Sequence, residues 1–264
     1  MRALHRELLA TAVAAAVRAT DVIRQRSTDP HALVWQEKSP ADFVSDVDRA
    51  SEAAITELVH ERHPHAVILG EELTPDATRD AEVLFVVDPI DGTTNFLHRY
   101  PAYAVSIGVL HEGALVAGVV LDVAHGDLFT ATAGTGTRHN GQPVRVSSIT
   151  DPSRALIGTG FPFKYLHLLD DYQRQFAAVL RQTAGIRRAG SAALDLCDVA
   201  AGRFEAFWEL MLAPWDVAAG ILLVREAGGV VTNLAGEPAE VAPGPIVAGS
   251  PAMHAWLMQV LASA

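Results

Sequence analysis

The chain has 264 residues, half of them apolar, which allows one large domain or two interlocked subdomains around a sizeable core. With 20 Lys and Arg against 31 Asp and Glu, the net charge of −11 gives the long-range field the wrong sign for nonspecific attraction to nucleic acid or to an anionic membrane, so an anionic ligand must find local positive charge. A single cysteine, Cys197, excludes an intrachain disulfide and a cysteine-built zinc cluster, and fits a reducing cytoplasm.

Residues 5–26 read as a helix. The apolar run Leu8 to Val17 behind Arg2 and Arg6 has the look of a short secretory leader. However, Leu9, Val13, Val17 and Ile23 lie near helical spacing, and the pattern runs on through Arg18, Asp21 and Arg24, which favours an ordinary helix. A second helix is expected over 46–62. His60, His63 and His65 near its end are interrupted by Pro64 and read as helix-terminal residues, not as a metal cluster. Two strands follow, Ala66–Leu69 running into Gly70-Glu71-Glu72, and Leu84–Val87 running into Asp88.

The segment Asp88-Pro89-Ile90-Asp91-Gly92-Thr93-Thr94-Asn95-Phe96 carries the most chemistry. A buried strand delivers Asp88 to its carboxyl end. Pro89 is expected to help end the ladder, and a turn to bring Asp91 beside Asp88. Carboxylates that close either share a proton or hold a cation, and all-oxygen ligands beside a phosphate site point to Mg²⁺. Gly92 allows close backbone approach, and N–H groups at a helix start after it can cradle a phosphate. An Asp-Gly turn with capping threonines would leave the same pattern.

From Ala104 to Val146 short β-rich runs alternate with turns at Glu112-Gly113, His125-Gly126 and Asn140-Gly141, as in an antiparallel meander. Gly134-Thr135-Gly136 lies in that stretch and reads as a hairpin, not a nucleotide loop. Beyond Asp151 the pattern turns to α/β: strand 155–159, helices 167–182 and 192–201, strand 206–209, helix 217–227, strands 230–232 and 246–248, and helix 251–262. Cys197 falls among apolar neighbours and reads as core. Trp215-Asp216 opens the helix Val217–Val224, where Asp216 also suits a capping role. The expected division is an N-terminal α+β part, 1–150, and a C-terminal α/β part, 151–264, completing one site.

Three ordered segments, Gly70-Glu71-Glu72, Asp88 to Phe96 and Trp215-Asp216-Val217-Ala218-Ala219-Gly220, resemble the signature motifs of the inositol monophosphatase family. The likeness extends from Lys38-Ser39-Pro40-Ala41-Asp42-Phe43-Val44-Ser45-Asp46-Val47-Asp48 through Gly190-Ser191-Ala192-Ala193 to Glu226-Ala227-Gly228-Gly229. It implies a layered α-β-α-β-α sandwich, a cytoplasmic homodimer, and lithium-sensitive hydrolysis of a small phosphate monoester with two to three Mg²⁺ ions per site. One ion would be held by Glu71, Asp88 and the Ile90 carbonyl, a second by Asp88, Asp91 and Asp216, and a weaker third near Glu71 and Asp48. Thr93, hydrogen-bonded towards Asp48, would help orient and deprotonate the attacking water.

The same likeness assigns substrate contacts to Gly92, Thr93, Asp91, Ala192 and Glu209, and a supporting place behind the ligands to Lys38. The stretches 158–163 and 190–195 are similar to those of bacterial inositol monophosphatases and favour inositol 1-phosphate. Relatives acting on histidinol phosphate, fructose 1,6-bisphosphate or nucleotide phosphates remain alternatives. So does a regulatory protein that binds the transcription machinery. The chain departs from the pattern at Leu73, where a serine is frequent, and at Ala213-Pro214, where Arg-Pro is frequent.

Overall fold

Helix α1 (Arg2–Arg26) buries Leu8, Ala12, Ala15, Ala16, Ala19 and Ile23 along one stripe, and the alanines let its backbone lie close against a sheet. The computed structural model describes residues 2–27, 35–39 and 42–264. Among them no helix is long and apolar enough to cross a membrane. Strands β1 (Trp35–Ser39) and β2 (Asp42–Ser45) form an antiparallel pair that feeds α2 (Asp46–Arg62). The Ser45 side chain caps α2 by accepting from the N–H groups of Val47 and Asp48.

The larger sheet has seven strands in the order β3-β4-β5-β6-β7-β8-β9. They are β3 (Val67–Gly70), β4 (Val83–Asp91), β5 (Ala104–His111), β6 (Ala114–Asp122), β7 (Leu128–Thr132), β8 (Thr137–His139) and β9 (Gln142–Val144). From β4 onward it is an antiparallel meander, while β3 pairs with β4 in parallel. The short helix α3 (Thr93–Leu97) follows β4.

The smaller sheet has five strands in the order β11-β10-β12-β14-β13. These are β10 (Leu156–Thr159), β11 (Gly185–Arg187), β12 (Ala206–Leu212), β13 (Val230–Thr232) and β14 (Gly244–Gly249). Helices α5 (Ala192–Ala200) and α6 (Pro214–Glu226) lie between the two sheets, α1 and α2 cover the outer face of the larger, and α4 (Leu169–Leu180) and α7 (Pro251–Ala262) pack beside the smaller. The result is the layered α-β-α-β-α sandwich. Helix α6 is apolar nearly all round because it faces both sheets, with Val217 through Val224 buried.

Pro89 does not end the ladder. Strand β4 continues to Asp91, and the register against β5 slips between the pairs Asp88↔Ser106 and Asp91↔Ala104. Three steps along β4 thus match two along β5, a bulge of one residue at Pro89-Ile90 where the ring's missing N–H is tolerated.

Candidate metal and phosphate site

The bulge decides where the acids point. In a regular strand residues three apart face opposite sides of the sheet. One inserted residue reverses that, so Asp88 and Asp91 project to the same side. Asp216 meets them from the first turn of α6, and one carboxylate oxygen from each of the three lies within 4.8 Å of the others. Among the described residues this is the one such group of potential metal ligands.

Each acid is held by a different element. The Ile90 N–H donates to Asp88 Oδ1 at 3.0 Å, across the bulge. Asp91 Oδ2 accepts from the Ser191 hydroxyl at 2.6 Å and from the Ala193 N–H at 2.7 Å, placing an anion at the N-terminus of α5. Asp216 lies in the third position of α6 and accepts the Ala213 N–H at 2.7 Å, while the Ser106 hydroxyl of β5 donates to the Trp215 carbonyl at 3.4 Å. The helix begins at Pro214, earlier than the sequence suggested, so Asp216 reaches back to the cap instead of being the cap.

Asp48, buried on α2, is bonded from three sides: by the Ser45 N–H at 2.8 Å and hydroxyl at 2.5 Å, and by the Thr93 hydroxyl at 3.0 Å. The Thr93 hydroxyl also lies 3.1 Å from the Ile90 carbonyl. Gly92 stands before α3 in the left-handed region at φ 98°, where an added Cβ would approach the Ala102 carbonyl at 2.8 Å. Asn95 ties this loop to the 188–191 segment by donating to the carbonyls of Ala102 and Ala189 at 2.7 and 2.9 Å.

Ionising these carboxylates together is costly, and either a shared proton or a bound cation offsets the cost. Burial, then the charges of Glu71, Asp91, Asp216 and Asp48, pushes the Asp88 carboxyl well above the usual range. Burial raises Asp91 to about 6 against the lowering effect of its bonds to Ser191 and Ala193. Burial and the charges of Asp91 and Glu71 raise Asp216 to about 8. At an effective dielectric near 20, two unit charges 4.8 Å apart repel by roughly 3–4 kcal/mol. A hard divalent cation relieves this, and the all-oxygen donor set suits one.

Glu209 of β12 is half-buried, its carboxylate pressed against the backbone of Gly160. Burial and then the charges of Asp216 and Asp91 hold its carboxyl well above the usual range. Ala192 opens α5 next to Ser191. The Lys38 side chain lies outside the described residues. His60 bonds to the Ala66 carbonyl at 3.2 Å and His63 to the Thr11 hydroxyl at 3.0 Å, so both have structural partners. Cys197 is buried, and burial pushes its thiol well above the ordinary range. Two groups escaped the sequence reading: Ser45, which bonds Asp48, and Glu52, which bonds the turn after Glu71. The four-residue step from Asp48 to Glu52 on a helix was the available signal for the latter.

Residues 4–264 match the model of the inositol monophosphatase family. A putative Nus factor SuhB from Neisseria meningitidis serogroup B is 42% identical over 255 residues, covering 97% of this chain and 98% of that protein. Among solved structures, an extragenic suppressor protein suhB from Bartonella henselae superposes with a TM-score of 0.92 at 38% identity, over 97% of this chain and 98% of the other. An inositol monophosphatase from Anabaena superposes with a TM-score of 0.82 at 36% identity, over 98% and 96%.

Proposed function

The chain belongs to the inositol monophosphatase family, and from that premise we propose that it is a Mg²⁺-dependent phosphatase of small phosphate monoesters, with myo-inositol 1-phosphate as its main substrate. The observation that carries the reading is the convergence of Asp88, Asp91 and Asp216, from two elements far apart in sequence, on one small volume beside the Gly92–Asn95 loop.

Glu71, Asp88 and the Ile90 carbonyl would hold one ion, Asp88, Asp91 and Asp216 a second, and Glu71 with Asp48 a weaker third. Bound Mg²⁺ supplies Lewis acidity, neutralising charge on the phosphoryl oxygens and lowering the pKa of water. The chain does the positioning. Thr93 has one hydroxyl proton and spends it on Asp48 or the Ile90 carbonyl, leaving its lone pairs to accept from a water and orient it for in-line attack. Asp48 is the acceptor that takes up the proton's charge. The N–H groups of Gly92 and Thr93 hold equatorial phosphoryl oxygens as charge develops there. Asp91, Glu209 and the backbone at Ala192 receive the polyol hydroxyls.

Phosphate release from inositol 1-phosphate should require Mg²⁺ and stop with EDTA; activity indifferent to EDTA refutes the reading. Comparing kcat/KM with histidinol phosphate, fructose 1,6-bisphosphate and a nucleotide phosphate ranks the substrates. Within this reading the protein is a lithium-sensitive, cytoplasmic homodimer.

A second reading is favoured by the name Nus factor carried by its relatives: a regulatory protein of the transcription machinery. Capture of RNA polymerase on the immobilised protein, with no phosphate released from any of the four esters, is the outcome that would put it first. Ala213 before Pro214 removes a cation that a partner surface could use.

A further inference from the structure

Glu52 is fully buried on α2, and among the described residues it forms no ion pair with a cationic side chain. Its two oxygens are divided between backbone donors. Oε2 accepts the Glu72 N–H at 2.7 Å, and Oε1 accepts the Leu73 N–H at 3.0 Å. The turn thus gripped is the one that follows Glu71. Glu71 itself hangs from the end of the parallel ladder, its N–H bonded to the Val87 carbonyl at 3.2 Å, one residue before Asp88. Gly70 lies against the same carboxylate, since a Cβ there would collide with it, and the Gly70 N–H donates to the Thr74 hydroxyl at 3.2 Å.

The placement on α2 gives this grip its meaning. Asp48 and Glu52 are one helical turn apart and face the same way. Between them Ser51 donates to the Pro89 carbonyl at 3.2 Å, at the bulge that aims Asp88 and Asp91. One face of one helix therefore touches Thr93 through Asp48, the bulge through Ser51 and the Glu71 turn through Glu52.

We propose that Glu52 is a positioning residue for the metal centre: its carboxylate fixes the turn that presents Glu71 to the cation, without touching the cation itself. The inference rests on the metal reading above. Both carboxylate oxygens are engaged by N–H donors, so the side chain has a geometric task that glutamine cannot perform. An amide accepts on one side only and would set N–H against N–H on the other.

The test is Mn²⁺ binding to the full-length protein without substrate, read by the electron paramagnetic resonance of the free ion, for wild type, Asp88→Asn, Glu71→Gln, Glu52→Gln and the Glu52→Gln/Glu71→Gln double variant. Glu52→Gln should weaken binding roughly 10- to 100-fold, the scale for residues that orient ligands. In the Glu71→Gln background it should add less than about twofold, because its effect passes through Glu71. In turnover the Mg²⁺ concentration for half-activity should rise, with kcat at saturating Mg²⁺ within a few-fold of wild type. Unchanged Mn²⁺ affinity in Glu52→Gln, or an equal loss with and without the Glu71 carboxylate, overturns the proposal even if the variant melts earlier. Should Glu52→Gln not fold, Gly70→Ala, whose added Cβ displaces the carboxylate from the turn, carries the same expectations. Wild type that binds no Mn²⁺, or Asp88→Asn that binds it as wild type does, sinks the metal reading and is thereby distinguished from failure of the Glu52 inference.

Discussion

Asp91 joins most of the site's elements: it ends β4, its Oδ2 is held by Ser191 and Ala193 at the start of α5, and it faces Asp88 and Asp216. Asp91→Asn keeps the volume but removes the charge and turns one oxygen into a donor. It should leave far-ultraviolet circular dichroism unchanged and lower phosphate release by about 10²- to 10³-fold, on the scale of removing a principal electrostatic contact; wild-type turnover would contradict the assigned role. Ser191→Ala deletes one of the two bonds to Asp91 Oδ2 and should cost about 1–2 kcal/mol in urea unfolding. Without an ion, burial pushes the carboxyls of Asp91 and Asp216 up from 3.8 to about 6 and about 8. The folded state therefore binds more protons than the unfolded chain between about pH 4 and pH 8, and this contribution to stability is lost as pH rises through that window. An ion binds the deprotonated carboxylates, so the rise in Tm on adding Mg²⁺ should grow from about pH 6 to about pH 8.5. Melting curves in EDTA and in Mg²⁺ measure it, and a gain that stays flat or shrinks refutes it.

Elements explain why residues so distant in sequence meet. Helix α6 carries Asp216 on its first turn and lies directly on the larger sheet at Gly108 of β5, where an added Cβ would stand 2.5 Å from the Ala218 Cβ. Gly108→Ala should therefore lift α6, lowering stability by about 1–3 kcal/mol in urea and reducing Mg²⁺ affinity as Asp216 moves; a variant with wild-type stability would show that the helix does not depend on this contact. Much of this layer was legible in the sequence. The apolar run of α1 and the turns of the meander are local signals, and α2, β13 and α7 match the expected bounds. What the sequence hid has physical causes. The β1–β2 pair is short and rich in charged and polar residues, so it shows no clear alternation, and β11 has only three residues. Pro89 reads as a strand terminator, whereas the ladder accommodates it in a bulge whose existence depends on the register with β5. Asp88 and Asp91 were legible as a pair because an apolar strand leads into them. The bonds of Asp91 to Ser191 and Ala193, and the grip of Glu52 on the 72–73 turn, depend on tertiary placement that no local pattern carries.

At the scale of the whole molecule, the negative charge and the site's acidity pose one problem. A chain of net charge −11 that brings Asp48, Glu71, Asp88, Asp91, Glu209 and Asp216 within one another's electrostatic reach repels the phosphate ester it is proposed to hydrolyse, unless cations accompany it. The layered architecture makes the gathering possible: α2 supplies Asp48 from outside the larger sheet, β4 supplies Asp88 and Asp91 at a bulge, and α6 supplies Asp216 from between the sheets. The measurement that addresses this most directly is a crystal grown with Mn²⁺ and inorganic phosphate, with anomalous scattering recorded at the manganese edge. Anomalous peaks are expected among the carboxylates of Asp88, Asp91, Asp216 and Glu71, with a phosphate beside the loop at Gly92. Those side chains in place with no peak between them, at ion concentrations that saturate any activity, would contradict it.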